Sequence, residues 1–200
     1  MKKKQQEFKK NFSNQVNDII LSNNIDKRDL LIMVQDEGRF GRVNVPRASW
    51  APKGIRPLVN RQIVREAFYA YTAVCPSLGK SISLILPYAN TEMMNIFLKQ
   101  VSDEFPTKKI IMQVDGAGWH RSKKLKIPSN IFFIRQPSYS PETNCVEHIW
   151  DDIREKELLN KCFKNINDAI VAVCSGLNRL NDNPEYLKSL TNFPHLNIAF

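Results

Sequence analysis

Three acidic residues stand where short apolar runs give way to turns or helices. Ile110-Ile111-Met112-Gln113-Val114 reads as a buried strand, and Asp115 follows it, with Gly116-Ala117-Gly118 beyond. An acid at the exit of a central strand, with a flexible turn after it, projects its charge from the end of the sheet. Open α/β sheets place their chemistry there. Leu30 to Val34 is a second apolar run, and it leads into Gln35-Asp36-Glu37-Gly38. Further on, Ser140 to Trp150 opens a helix that carries Glu147. Carboxylates on three separate elements can converge on one metal site. Hard cations such as Mg²⁺ take oxygen ligands and keep several waters, so two or three carboxylates suffice to hold them. Two such ions about 3.5–4 Å apart can activate a water and stabilise the leaving oxygen of a phosphodiester. Taken singly, each acid reads equally well as a helix cap or a turn residue.

The elements that must position these acids follow from periodicity. Residues 1–27 are polar and basic, but Phe8, Phe12, Val16 and Ile19-Ile20 recur at helical spacing. The segment is expected to be a basic helical linker or docking segment, with one α/β domain over 28–200. Arg39 to Pro57 is punctuated by proline and glycine, which predicts hairpin strands and turns rather than helix. Ala67 to Val74 and Ser81 to Leu86 read as strands, with a turn at Pro76 to Gly79. Asn90-Thr91 caps a helix whose Met93, Met94, Phe97, Leu98 and Val101 share one face, up to about Glu104. Ile131 to Ile134 reads as another strand, and a last helix is expected from Ile166 to Leu180. Strands first, then helix and strand alternating, then helices, indicates a mixed central sheet flanked by helices. On the Glu147 helix, Val146, Ile149, Trp150 and Ile153 form the face that packs on the sheet, and Glu147 lies on its flank. Pro141 favours a helix start there, and Glu142 suits its positive end.

Composition narrows the function classes. With 200 residues, 42% of them hydrophobic, the chain can bury one full core. No stretch approaches the run of about eighteen apolar residues that would suggest a membrane span. The lysine-rich N-terminus lacks the apolar run of a signal peptide. The four cysteines form no CxxC pair, so free thiols in a reducing cytoplasm are expected rather than a zinc site. A net charge of +9 suggests an anionic partner, of which nucleic acid is the commonest; solvated lysines are the alternative.

The residues around the acids form an ordered set of blocks. They are Asp36-Glu37-Gly38-Arg39-Phe40-Gly41, then Trp50-Ala51-Pro52-Lys53-Gly54 with Arg56-Pro57, then Val114-Asp115 with Trp119-His120. The last is Gln136-Pro137-Ser138-Tyr139-Ser140-Pro141-Glu142 with Asn144, Glu147 and Trp150. Over about residues 30 to 175 this set resembles the DDE transposases of bacterial insertion sequences, in the "six-thirty" family of the mariner superfamily. The resemblance implies an RNase H-like fold and a metal-dependent DNA endonuclease and strand transferase using two Mg²⁺ ions, with Mn²⁺ able to substitute. It implies that Asp36, Asp115 and Glu147 are the catalytic, metal-holding triad. In such enzymes water cleaves the element's ends, and the freed 3′-hydroxyl attacks target DNA. Double-stranded DNA is the implied partner and the bacterial cytoplasm, at the nucleoid, the implied location. A homodimer is left open.

Three departures accompany the resemblance. The thirty-one residues between Asp115 and Glu147 are a little fewer than usual, and Cys145 stands where a proline is usual. Family members also carry an N-terminal helix-turn-helix that recognises the element's ends, and no such pattern precedes Leu30. A separate polypeptide carrying that recognition domain is therefore an expected partner. A nuclease that only hydrolyses, and a non-catalytic DNA-binding or regulatory transposase fragment, are the alternative functions.

Other residues carry double readings. Asn144 could order a phosphate or a metal-bound water, or cap the helix. His120 could touch DNA or be a satisfied loop histidine, and His148 reads as exposed. Glu37 points to the opposite face from Asp36 by strand alternation and reads as structural. Trp50 and Trp119 could stack on bases, whereas Trp150 reads as core. Arg121-Ser122-Lys123-Lys124-Leu125-Lys126 is the densest internal basic run, so Arg121, Lys123, Lys124 and Lys126 are candidate phosphate contacts.

Overall fold

Leu30–Val43 forms the central strand, β1, of a five-stranded sheet. The computed structural model describes residues 2–44, 46–48, 50–137 and 140–198. Ser138 and Tyr139 of the last sequence block, and Val45 and Ser49 of the proline-punctuated segment, lie outside them. The other strands are β2 (Ile63–Cys75), β3 (Lys80–Leu86), β4 (Lys109–Val114) and β5 (Ile131–Arg135), in the order β3-β2-β1-β4-β5. β1, β2 and β3 pair antiparallel, while β4 and β5 run parallel to β1. The helices are α1 (Lys2–Ser22), α2 (Thr91–Glu104), α3 (Val146–Lys156), α4 (Ile166–Asn181) and α5 (Pro184–Thr191). None is long and apolar enough to cross a membrane.

The sheet separates two apolar layers. Alternation along β1 puts Ile32, Val34 and Phe40 in the layer with α1, α3 and α4, and Leu31 and Met33 in the layer with α2. Asp36 falls on the α3 side and Glu37 on the other. The N-terminal segment docks directly on the domain: Phe8, Phe12, Val16 and Ile20 are buried in the same cluster as Ile134 and Val146. Two expectations were incomplete. β1 runs on past Asp36 to Val43, because β2 pairs its backbone from Val34↔Val74 to Val43↔Ile63 even where its side chains turn polar. Of the hairpin strands expected over 39–57, only residues 39–43 are strand among the described residues, and Pro52 to Ile55 closes a turn with Gly54 at φ 87°. The short α5, opened by Asn183 and Pro184, escaped the pattern reading, although an Asn cap followed by Pro is its signal.

α3 is fixed by packing and by one buried acid. Ile149, Trp150 and Ile153 are buried against the sheet, each worth about 1.5–3 kcal/mol relative to exposure. Asp152 accepts from Arg179 Nη2 (2.6 Å) and Tyr186 OH (2.5 Å) and pairs with Lys156 Nζ (2.6 Å), which ties α3 to α4 and α5. Trp150 crosses β1 at Gly38, where any Cβ would lie 2.9 Å from the indole and 2.6 Å from Phe40. Gly38→Ala should therefore destabilise the fold by about 1–3 kcal/mol, the usual scale of overpacking. A urea midpoint equal to that of the unsubstituted protein would contradict this seating of Trp150.

Candidate active site

Parallel pairing brings two of the acids together. The β1–β4 ladder ends at Val34↔Gln113, and continuing its register by two residues sets Asp36 opposite Asp115. Glu147 approaches from the first turn of α3. All three line one cleft of about 360 Å³, together with Gly116, Gln136 and Asn144.

Each acid meets different surroundings. Asp36 Oδ2 accepts from Trp150 Nε1 at 3.2 Å. Burial, then the charges of Glu37 and Glu147, push its pKa up to about 8 against the lowering pull of its hydrogen bonds. At neutral pH in the absence of a cation it is largely protonated. Asp115 goes the other way. Burial raises its pKa, but hydrogen bonds from His120 and the Ala117 N–H, with the charges of His120 and Arg121, more than reverse that, and the net shift is downward. His120 Nδ1 lies 2.8 Å from Asp115 Oδ1, and Nε2 lies 3.3 Å from Glu37 Oε1. Burial lowers the imidazole's pKa, yet the two carboxylates together raise it to about 9, so it is charged at neutral pH.

This linkage corrects one reading of the sequence and fills in another. His120, a candidate DNA contact, has a side chain with no exposed surface and is spent on Asp115 and Glu37. Glu37 does face away from Asp36, but its Oε1 also accepts from Gln35 Nε2 (3.0 Å) and Trp119 Nε1 (3.2 Å). It ties β1 to the Gly118–Arg121 turn that follows Asp115. Strand alternation shows which face Glu37 takes but not its partners Trp119 and His120, which lie more than eighty residues away in sequence.

Beneath the cleft runs a buried amide network that sequence reading missed. Gln113 Nε2 donates to Gln136 Oε1 (2.9 Å) and to the Thr143 carbonyl (2.8 Å), while His195 Nε2 donates to Gln113 Oε1 (3.3 Å). The signal was a glutamine inside an otherwise apolar strand. It fixes the loop leading to α3. Pro141 opens a short 3-10 turn, Pro141–Thr143, rather than α3 itself, which starts at Val146 because Asn144 is extended. Asn144 is buried, its Oδ1 accepts from Val146 N at 3.0 Å, and it also lines the cleft. Arg121, Lys123, Lys124 and Lys126 are exposed and do not line the cleft; the loop they occupy is bonded to Asn95 of α2. Trp119 is half-buried, Trp50 fully exposed and Trp150 buried. His148 is exposed, with Nδ1 2.9 Å from the Leu190 carbonyl.

The donor set suits a hard divalent cation. The three carboxylates offer oxygen, and the desolvated, protonated Asp36 beside Glu147 is where positive charge would be favoured. As arranged, no three His, Cys, Asp or Glu side chains among the described residues close on a single ion position.

Residues 31–170 match the family described as DDE superfamily endonuclease. The chain belongs to that family. A protein of Sinorhizobium fredii (strain NBRC 101917 / NGR234), y4pE/y4sA, described as uncharacterized, is 37% identical over 123 residues, covering 61% of this chain and 91% of its own. Among solved structures, a pre-cleavage Mos1 transpososome gives a TM-score of 0.59 at 14% identity over 98% of this chain. The Mos1 mariner paired-end complex with Mn gives 0.57 at 13% over 94%. These likenesses show the fold, which is RNase H-like, and the chain spans only 64% and 63% of those two chains.

The titrations set a pH dependence with a definite sign. Asp36 has a folded pKa of about 8 against an ordinary 3.8, and His120 about 9 against 6.5. Both bind their proton more tightly when folded, so the stability each contributes is lost as pH rises, over about 4–8 for Asp36 and 6.5–9 for His120. Metal-free Asp36→Asn should match the unsubstituted protein near pH 4 and grow relatively more stable up to pH 8, read from urea midpoints. A constant difference between the two across that range would refute the assignment.

Proposed function

We propose that this chain is the catalytic domain of a bacterial insertion-sequence transposase, which cleaves element ends and transfers the freed strand to target DNA. The observation that carries the reading is the convergence of Asp36, Asp115 and Glu147 on one cleft at the end of the sheet. Membership of the DDE superfamily endonucleases and the fold shared with Mos1 transposase complexes support it. Asp36, Asp115 and Glu147 would hold two Mg²⁺ ions, with Mn²⁺ able to substitute, and the chemistry supplied there is activation of a hydroxyl and charge stabilisation at a phosphodiester.

The protein's own groups prepare that site. Asp36 must release its proton to become a ligand, and Trp150 Nε1–H steadies the carboxylate that results. His120 keeps Asp115 ionised and oriented, and Glu37 keeps the imidazole in place. Asn144 spends its side-chain oxygen on Val146 N, which leaves its NH₂ to donate to a phosphate oxygen at the cleft. Recognition of specific ends is assigned to a separate helix-turn-helix polypeptide, since phosphate contacts position a protein without reading sequence. A homodimer would hold the two ends of an element together, at the nucleoid of the bacterial cytoplasm.

Asp115→Asn should fold normally and lose DNA cleavage by at least about a hundredfold, the scale of removing one preorganised electrostatic contact. Cleavage at the unsubstituted rate would remove Asp115 from the mechanism. Mn²⁺ at about 100 times its Kd should stabilise the unsubstituted protein by about 2.7 kcal/mol. No change in melting temperature at saturating Mn²⁺ would count against any metal site here. Strand joining assayed with a pre-cleaved 3′ end separates a transposase from a nuclease that only hydrolyses.

A further inference from the structure

A second cleft of about 210 Å³ opens on the α3 side of β1, between the start of the 44–62 segment and the 158–163 loop that follows α3. Its lining includes Arg39, Arg42, Arg47, Arg154 and Lys161, against one carboxylate, Glu66. The walls are preformed. Arg42 donates to the Phe163 carbonyl (3.0 Å), to the Lys164 carbonyl (2.6 Å) and to Glu66 (2.8 Å). Gln62 exchanges hydrogen bonds with the Phe163 backbone, and Asn160 with the backbone of Arg47. Arg42 and Glu66 thus neutralise each other within the wall. The remaining cations are not so matched. Arg154 lies over the Phe40 ring, 5.4 Å from its centroid, with only the exposed Asp151 at 3.6 Å. Arg39, Arg47 and Lys161 are exposed and make no ion pair among the described residues.

A built cleft that gathers four surplus positive charges calls for an anion, and its place in the fold indicates which. Arg154 follows Glu147 by two turns of α3, roughly 10 Å at 1.5 Å per residue. Phe40 lies roughly 13 Å along β1 from Asp36. Both supporting elements therefore run from the acidic cleft to the basic one. Phosphates of one DNA strand recur at about 3.4 Å of helix axis. We propose that the cleft binds a DNA backbone phosphate about three or four nucleotides from the one at the acids, and so sets the register of the strand. The assignment rests on the acidic cleft acting on DNA. The contact is indifferent to base sequence, because only the backbone supplies the charge.

The test is binding, measured in EDTA so that no cleavage intervenes. Fluorescence anisotropy against salt concentration is compared for the unsubstituted chain, Arg47→Gln/Lys161→Gln, and a control with the same charge loss, Lys99→Gln/Lys188→Gln. The control lysines sit on α2 and α5, in exposed pairs with Asp103 and Glu185. Losing one phosphate contact should make the slope of log affinity against log salt shallower by about 0.9. The cleft variant should show that change, with an equal loss of affinity on two unrelated duplexes, and the control should not. Arg47→Lys/Lys161→Arg should restore the slope, which separates charge from folding. A cleft variant indistinguishable from the control would overturn the proposal. If the unsubstituted chain still cut DNA in Mn²⁺, the catalytic reading would survive that result. A shallower slope in a chain that never cuts would instead uphold the phosphate cleft and remove the catalytic reading.

Discussion

Two parallel strands running side by side impose the central electrostatic problem of this fold. The β1–β4 register aligns Asp36 with Asp115, and α3 then brings Glu147 to the same cleft. Carboxylates gathered and partly desolvated in this way cannot all ionise without positive charge nearby. The structure meets the difficulty in two ways. Asp115 is given the charged His120 imidazole, itself held from behind by Glu37. Asp36 is given no cation among the described residues, only hydrogen bonds from the Trp150 indole N–H and the Glu37 N–H, and it holds a proton instead. The asymmetry makes Asp36 the acid whose state responds to a cation.

The scaffold is built to keep that arrangement rigid. Gly38 lets Trp150 lie against β1, the Asp152 cluster fixes α3 to α4 and α5, and the Gln113 network anchors the loop before α3. α1 and the C-terminal His195 complete the layer behind that network: Phe8 and Phe12 pack edge-on to the imidazole whose Nε2 meets Gln113. Positive charge is then displaced along the same two elements, to the cleft beyond Phe40. Acid at the middle of β1 and the start of α3, and base further along both, give the surface a polarity suited to a polyanion running across it.

Much of this was legible in the sequence, for reasons that can be named. Apolar runs marked β1 and β4, so the acids that follow those runs were visible, and the face formed by Val146, Ile149, Trp150 and Ile153 is the one α3 buries. The continuation of β1 to Val43 was hidden because backbone pairing with β2, not side-chain hydrophobicity, sustains it. The role of His120 was hidden for a similar reason. Its two partners come from β1 and the end of β4, and which nitrogen meets which carboxylate depends on three-dimensional register. Gln113 looked like one polar interruption in a strand until its partners from the 136–143 loop and the C-terminus were in place.

The account turns on whether the three acids act as one cation site. Crystals equilibrated with Mn²⁺ and measured at the manganese edge test this most directly. The expected result is anomalous density between Asp36, Asp115 and Glu147, with the Asp36 carboxylate as a ligand and the density absent from Asp36→Asn crystals. Manganese bound elsewhere on the chain, or density at the acids that survives the loss of the Asp36 carboxylate, would contradict it.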